Sequence, residues 1–316
     1  ESIPYFNGTI NGNNHTIINL RTCLLDTIAG NGSVKNIVIR NAATLCSPAI
    51  ARHMQDSALV RCVDIRESNF ICMGDKVKPS LSFGVVSWSM SNLSRIENVL
   101  ILDSDIQIVS KKVSSYFMVG SVVGIMSDDS RMHNILVMKT NILVQERDIL
   151  LVAEVGCAVG VMKKNSRLEN FTAIDTKMRT HGYSIKGNRA VFSVGTVGAM
   201  HDNSRVSNIV RINDYIGGFR GLESSAGGSG SMWGGSMQHL FVFNSTILSV
   251  RSKGEIGIAV GFQQNLDYTN LTISTDNVIT FSALLLGHAS KEELDYVKVG
   301  GCVGNVEPNT IYQCCL

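Results

Sequence analysis

The stretch "SRIENVLI" (94–101) returns as "SRMHNILV" (130–137), "SRLENFTA" (166–173) and "SRVSNIVR" (204–211). A Ser-Arg pair, an apolar residue and an Asn two places later therefore recur, with the Asn at 98, 134, 170 and 208. The spacings are 36, 36 and 38 residues. Periods of this length mark a repeat architecture, in which each unit buries its apolar face only against its neighbours. The same slot continues forward as His239 in "SMQHLFVF" and Asn270 in "YTNLTIST". Backwards it runs through Cys62 in "LVRCVDI", Asn36 in "VKNIVIR" and Asn19 in "IINLRT", and Gln313 in "TIYQCCL" is a final candidate.

A second motif precedes most of these anchors: "VGSVVG" (119–124), "VGCAVG" (155–160), "VGTVG" (194–198), "IGIAVG" (256–261) and "VGGCVG" (299–304). Each unit holds short β-branched runs divided by polar punctuation such as "SDDS", "KKNS" and "HDNS". Helical periodicity is confined to "KEEL" (291–294). The runs read as successive coils rather than up-and-down pairs. The expectation is an all-β chain, a right-handed single-stranded parallel β-helix of about nine to ten coils, forming one domain over residues 1–316.

In that fold one residue per coil stacks on its own kind at ~4.8 Å. Asn19, Asn36, Asn98, Asn134, Asn170, Asn208 and Asn270 are expected to form a structural amide ladder in a buried turn, each donating to the next carbonyl. The Ser-Arg pair closes the polar turn. Gly120, Gly124, Gly156, Gly160, Gly257, Gly261, Gly300 and Gly304 should stack in two rows. Such rows mark either a sharp bend or a flat contact surface for another chain. These glycines are the candidate interface.

The opening "YFNGTINGNNHTIINL" (5–20) resembles the first segment of proteins with GLUG repeats, and the "VGSVVG … SRMHNILV" units resemble the repeat itself. The resemblance spans about residue 5 to 316. It implies a parallel β-helix with a secreted or surface role, as an adhesin-like stalk or an accessory region of a larger polypeptide. It carries no catalytic signature to transfer. The coils here are longer than the family pattern and leave room for surface loops. Neither end shows a capping helix, so the chain is expected to be part of a longer one, or to have its ends covered by other subunits.

Composition narrows the function classes. The net charge is +2 and only 17% of residues are charged, which argues against a nucleic-acid surface. Lys-Lys at 111–112 and 163–164 reads as solvated turn. The longest apolar run, "ILLVAEVGCAVGVM" (149–162), is broken by Glu154 and falls short of the ~20 residues of a membrane helix, so no membrane insertion is expected. The start shows no charged-then-apolar signal segment. The eight cysteines show no CxxC pair and no zinc spacing, and they read as buried thiols with a bridge or two. No HxH or HExxH occurs, and no metal or cofactor is expected.

Carboxylate pairs for glycan cleavage are sought at Asp103 with Asp105, Asp128 with Asp129, and Asp64 with Glu67. None is accompanied by an aromatic or basic cluster, and Asp128 and Asp129 fill a turn slot. No catalytic residues are assigned and the chain is expected not to be an enzyme. "GGFRGLESSAGGSGSMWGG" (217–235) lacks a phosphate-loop ending and reads as a mobile Gly/Ser loop, with Phe219, Arg220 and Trp233 as recognition residues.

Sequons stand at Asn7, Asn14, Asn31, Asn92, Asn170, Asn244 and Asn270. Asn170 and Asn270 belong to the expected buried ladder, which leaves Asn92 and Asn244 as the glycan acceptors. The expected function is a non-enzymatic structural or adhesive module, extracellular or at the cell surface, within a filament or larger assembly. Its partners would be copies of itself, other subunits or glycan. Two alternatives are a carbohydrate-binding or carbohydrate-cleaving β-helix and an intracellular structural scaffold.

Overall fold

A computed structural model describes residues 2–73, 80–110, 115–146, 151–181, 191–219, 222–250, 254–257, 260–263, 273–276, 279–286, 298–300, 303–306 and 312–314. Among them every regular element is a β-strand. The strands form two sheets, of 15 and 17 strands, and pair in parallel. The "KEEL" segment and Lys111–Lys112 lie outside the described residues.

The register repeats the sequence period. In one sheet Ser87 pairs with Val123, Val123 with Val159, Val159 with Val197, Val197 with Ser229 and Ser229 with Val260. In the other, Arg95 pairs with Arg131, Arg131 with Arg167, Arg167 with Arg205 and Arg205 with Ser236. Residues therefore stand in columns, one per repeat. The period is not constant: cross-strand partners lie 24 residues apart at Thr9–Ser33, 36 at Asn98–Asn134 and 31 at Asn208–His239. An added strand accompanies the step from 24 to 36: among the described residues Ser80–Gly84 pairs with Ser115–Gly120 and with no strand of an earlier repeat.

Strand Arg95–Leu102 shows how local sequence sets the faces. Ile96, Val99 and Ile101 are buried, while Arg95, Glu97, Leu100 and Leu102 face outward. Simple alternation would bury Asn98. Instead it takes a left-handed backbone (φ 55) that inserts a bulge and turns its side chain outward. Asn tolerates that conformation better than other non-glycine residues. The buried columns Ile96-Met132-Leu168-Val206, Val99-Ile135-Phe171-Ile209 and Ile106-Ile142-Met178-Ile216 build a continuous core.

The glycine rows are not open to a neighbour. Gly120, Gly124, Gly156 and Gly160 are buried. A Cβ on Gly124 would meet the Phe83 backbone N at 2.5 Å, and one on Gly160 would meet Gly124 O and Val119 N at 2.6 Å. A Cβ on Gly261 would lie 2.7 Å from Gly230 O. One arm of each repeat lies so close to the arm before it that only hydrogen fits. The rows are bends closed by their own chain, which corrects the interface assignment; Gly257 is also buried, and the burial of Gly300 and Gly304 is not described.

Four other expectations change. Asn19 belongs to a different corner: its N–H donates to Arg40 O, in the row continued by Asn41, Glu67, Asp103, Lys139, Asp175 and Asn213. Gln313 pairs with Ser274, which pairs with Ser236, so it stands in the arginine column and not in the Asn slot. The pairs Gln238–Asp276 and Phe241–Ile279 place the slot after His239 between 276 and 279, away from Asn270, which lies outside the described residues. The Gly/Ser segment is sheet, not loop: Leu222–Ala226 and Ser229–Trp233 are strands, and Ser225, Ser229 and Ser231 are buried. Small residues serve there because Gly230 continues the close-packed glycine column. Arg220 lies outside the described residues.

Candidate functional site

The opening motif resolves into three columns with three causes. The serine is a steric choice. Ser94, Ser130, Ser166 and Ser204 are fully buried at a tight corner, where Gly8, Gly32, Ala58 and Gly235 hold the equivalent place. Each serine carbonyl accepts the N–H that opens the next repeat, as Ser94 O does from Arg131. Their hydroxyls have no protein partner. Size, not hydrogen bonding, selects the residue.

The asparagine is a ladder. Asn134 Nδ2 donates to Asn98 Oδ1 at 3.0 Å, Asn170 to Asn134 at 3.0 Å and Asn208 to Asn170 at 2.9 Å. His239 Nδ1 lies 3.0 Å from Asn208 Oδ1, and Asn36 donates to Asn11 Oδ1 at 3.0 Å. Cys62 interrupts the amide run, lying 3.9 Å from Asn98 Nδ2. The ladder stands on the surface: Asn134, Asn170 and Asn208 are exposed, because the left-handed bulge points them outward. The expected burial of Asn170 is therefore corrected, although both ends of its amide are engaged. Of the expected glycan acceptors, Asn244 donates to Asn213 Oδ1 at 2.8 Å, and Asn92 is exposed.

The arginine has no such structural explanation. Arg95, Arg131 and Arg205 are exposed and Arg167 is half-buried, in one column.

A groove of about 450 Å³ runs over the outer faces of strands Asp105–Ser110, Asn141–Glu146 and Lys177–His181. Leu143 lies between Gln107 and Arg179, its partners in the flanking strands, and is shorter than either, which makes it the floor. Along one wall Asn141 Nδ2 donates to Asp105 Oδ1 at 2.7 Å, with Lys177 next in the column. Period-two alternation puts Lys177, Arg179 and His181 on one face of one strand. Arg179 lies over the Tyr215 ring, its Cζ 5.7 Å from the centroid, which fixes the guanidinium at the groove's end. Burial, and after it the Arg179 charge, hold His181 below the usual imidazole range. A concave site with an apolar floor and converging polar groups suits a small hydroxylated ligand. Sequence reasoning weighed Asp105 as one of a carboxylate pair with Asp103 and missed the groove. Its signal is the basic residue at every second position of "KMRTH".

The carboxylate pairs do not converge as catalytic dyads. Asp64 is held by Arg66 through contacts of 2.8 and 2.9 Å, Asp103 and Glu67 occupy left-handed corners, and Asp128 pairs with Lys164 at 3.1 Å. The Ser127 hydroxyl, and after it Lys164, hold Asp128 below the usual carboxylate range. Among the described residues no group of three or more His, Cys, Asp or Glu is placed to hold a metal ion.

Two buried polar clusters were not legible in advance. Glu154 is 1% exposed, accepts a hydrogen bond from Tyr116 and lies 4.0 Å from His201 Nε2, whose ring packs 4.5 Å from Trp233. Burial raises the Glu154 pKa to about 7, against the Tyr116 hydrogen bond. Burial lowers His201 to about 4, so this is a contact of a neutral ring and not an ion pair at neutral pH. The second cluster pairs Arg211 with Asp214 at 2.7 Å inside the core, with both side chains fully buried.

Two outward apolar columns, Leu100-Leu136-Thr172-Val210-Phe241 and Leu102-Met138-Ile174-Ile212-Phe243, cross the same sheet. Phe243 is 42% exposed. A disulfide joins Cys46 and Cys72, while Cys23, Cys62 and Cys157 are free. No family model matches the chain, and no curated protein is similar enough to count as a relative.

Proposed function

We propose that the two parallel sheets are faces of one right-handed parallel β-helix, and that the chain is a non-enzymatic structural or adhesive module of the cell surface. Parallel strands joined across repeats turn right-handed in nearly all known cases. The observation that carries the reading is the register: outward columns of one residue type repeat along successive coils, a ruled surface suited to extended partners. The Cys46–Cys72 bridge between neighbouring coils favours an oxidising compartment over an intracellular scaffold. With the glycine rows closed, the Leu/Ile/Phe columns are the better lateral contact for assembly. The purified chain, coated on beads, is expected to retain cells or extracellular matrix through washing, and the heat-unfolded chain to retain none. Equal retention by both, or turnover of a polysaccharide by the soluble chain, would sink the proposal.

A second reading, carbohydrate binding, draws on the groove. Gln107, Asn141 and Gln145 offer paired donors and acceptors that match sugar hydroxyls. Under it, a glycan screen should show a short-oligosaccharide hit that weakens about tenfold or more in Arg179→Ala, through loss of the placed guanidinium. A hit indifferent to that change places the ligand elsewhere and removes the groove from consideration.

A further inference from the structure

We infer that the column Arg95, Arg131, Arg167 and Arg205 is a docking strip for a linear anionic polysaccharide bearing one carboxylate or sulfate per sugar. The inference rests on the adhesive reading above and gives it a partner class.

The four side chains are in direct register on adjacent parallel strands. None makes an ion pair or side-chain hydrogen bond among the described residues. Nearby carboxylates are used elsewhere: Glu97 lies 3.7 Å from Arg61, and Asp128 pairs with Lys164. In the adjoining outward column, Glu97-His133-Glu169-Ser207, only Glu169 is an unpaired acid. Like charges stacked in one column repel, and each inner arginine has two such neighbours. The fold does not ask for this. Thr9, Ser33, Leu59 and Ser236 fill the same slot in other repeats, so a neutral residue serves equally well there. Four arginines maintained without internal partners are explained by an external anion.

Spacing selects the kind of anion. The strip offers one cation per ~4.8 Å of axis. A uronate chain carries one charge per pyranose ring, and a ring linked through opposite corners is about as long as that step. Duplex DNA presents a charge every ~1.7 Å and would meet too few cations. Single-stranded nucleic acid is held chiefly on successive aromatic stacking platforms, and the two columns offer one ring, His133. The guanidinium fork also suits a carboxylate or sulfate bidentately, where lysine would not.

The test is titration calorimetry of the full chain with an oligouronate, a neutral oligosaccharide of equal length, and oligothymidylate. The oligouronate is expected to bind, to weaken as salt rises, and to lose about tenfold or more in affinity in Arg131→Gln/Arg167→Gln. Thermal unfolding of that variant should match the parent, since the slot tolerates neutral residues. The neutral sugar should not bind, and Lys139→Gln, an exposed substitution at another corner, should leave uronate binding unchanged. Absence of oligouronate binding, binding indifferent to the double substitution, or equal affinity for oligothymidylate would each overturn the inference. If oligouronate binds but coated beads retain nothing, the adhesive reading fails and the strip stands. If beads of the double variant retain cells as well as the parent, the strip fails and the adhesive reading stands.

Discussion

Asp214→Ala is expected to cost about 3–5 kcal/mol of stability by leaving the Arg211 charge buried and unpaired. Arg211 stands in a core column between Ala173 and Val242, where the small Ala173 makes room for it. Burial, the largest single influence, works against its charge, but Asp214 and Cys157 together outweigh it and hold the guanidinium above its ordinary range. Arg211 also donates to Thr196 Oγ1 at 3.2 Å, and Asp214 Oδ1 accepts from the Thr176 N–H at 2.8 Å and hydroxyl at 2.7 Å. Alanine would remove every acceptor that Asp214 supplies. The columns also suggest the remedy. Ser68 and Ser104 Oγ accept the N–H of the preceding repeat as Asp214 does, and Ser245 Oγ accepts from Asp214 itself. Arg211→Met with Asp214→Ser should therefore recover most of the loss, since an apolar replacement of a buried ion pair is often neutral or better. Urea unfolding of the parent and the two variants checks this. A single-variant loss below about 1 kcal/mol would show that the cavity admits water to the guanidinium.

The second large effect concerns pH. Glu154 titrates near 7 in the folded chain against 4.5 ordinarily, so the folded state holds its proton more tightly. Stability from this group is full below about 4.5, falls as pH rises from 4.5 to 7, and then levels off. His201 has the opposite sign. Its folded pKa of about 4 lies below the usual 6.5, so its contribution is full above 6.5 and lost as pH falls towards 4. Between 4.5 and 6.5 the slopes of Glu154 and His201 oppose and offset each other. Glu154→Gln removes one slope. That variant should gain stability with pH across this window by about 1.4 kcal/mol per unit. His201→Phe, which keeps a ring against Trp233, should lose stability by a similar slope. Tyr116, Lys163 and Asp202 complete the surroundings and remain in both variants. Parallel profiles for parent and Glu154→Gln from pH 4.5 to 6.5 would contradict this account.

Much of the architecture was legible because a repeat converts sequence distance into spatial adjacency. Once Asn98, Asn134, Asn170 and Asn208 are read as one slot, their neighbours fall into register, and the Ile and Val columns follow. The errors came where the period changes. Asn19 and Gln313 were assigned by counting from the central repeats, and the early repeats lack the strand that begins at Ser80. The glycine rows were read correctly as rows but given the wrong face, since a row of small residues packs equally well against its own chain or another.

The sequence by itself determined the parallel strands, the repeating slot and the identity of the residues that stack, because these depend on periodicity and backbone preference. Only the tertiary structure decided which way the stacked residues point and which polar groups meet. Asn170 is exposed because a left-handed bulge overrides alternation. Arg211 meets Asp214 three residues on, and Glu154 meets Tyr116 of the neighbouring repeat, through approaches that alter no residue's place in the repeat. The Lys177–Arg179 groove likewise exists only once three strands lie side by side. Periodicity is a one-dimensional property and can be read along the chain, whereas desolvation and side-chain direction arise from packing in three dimensions.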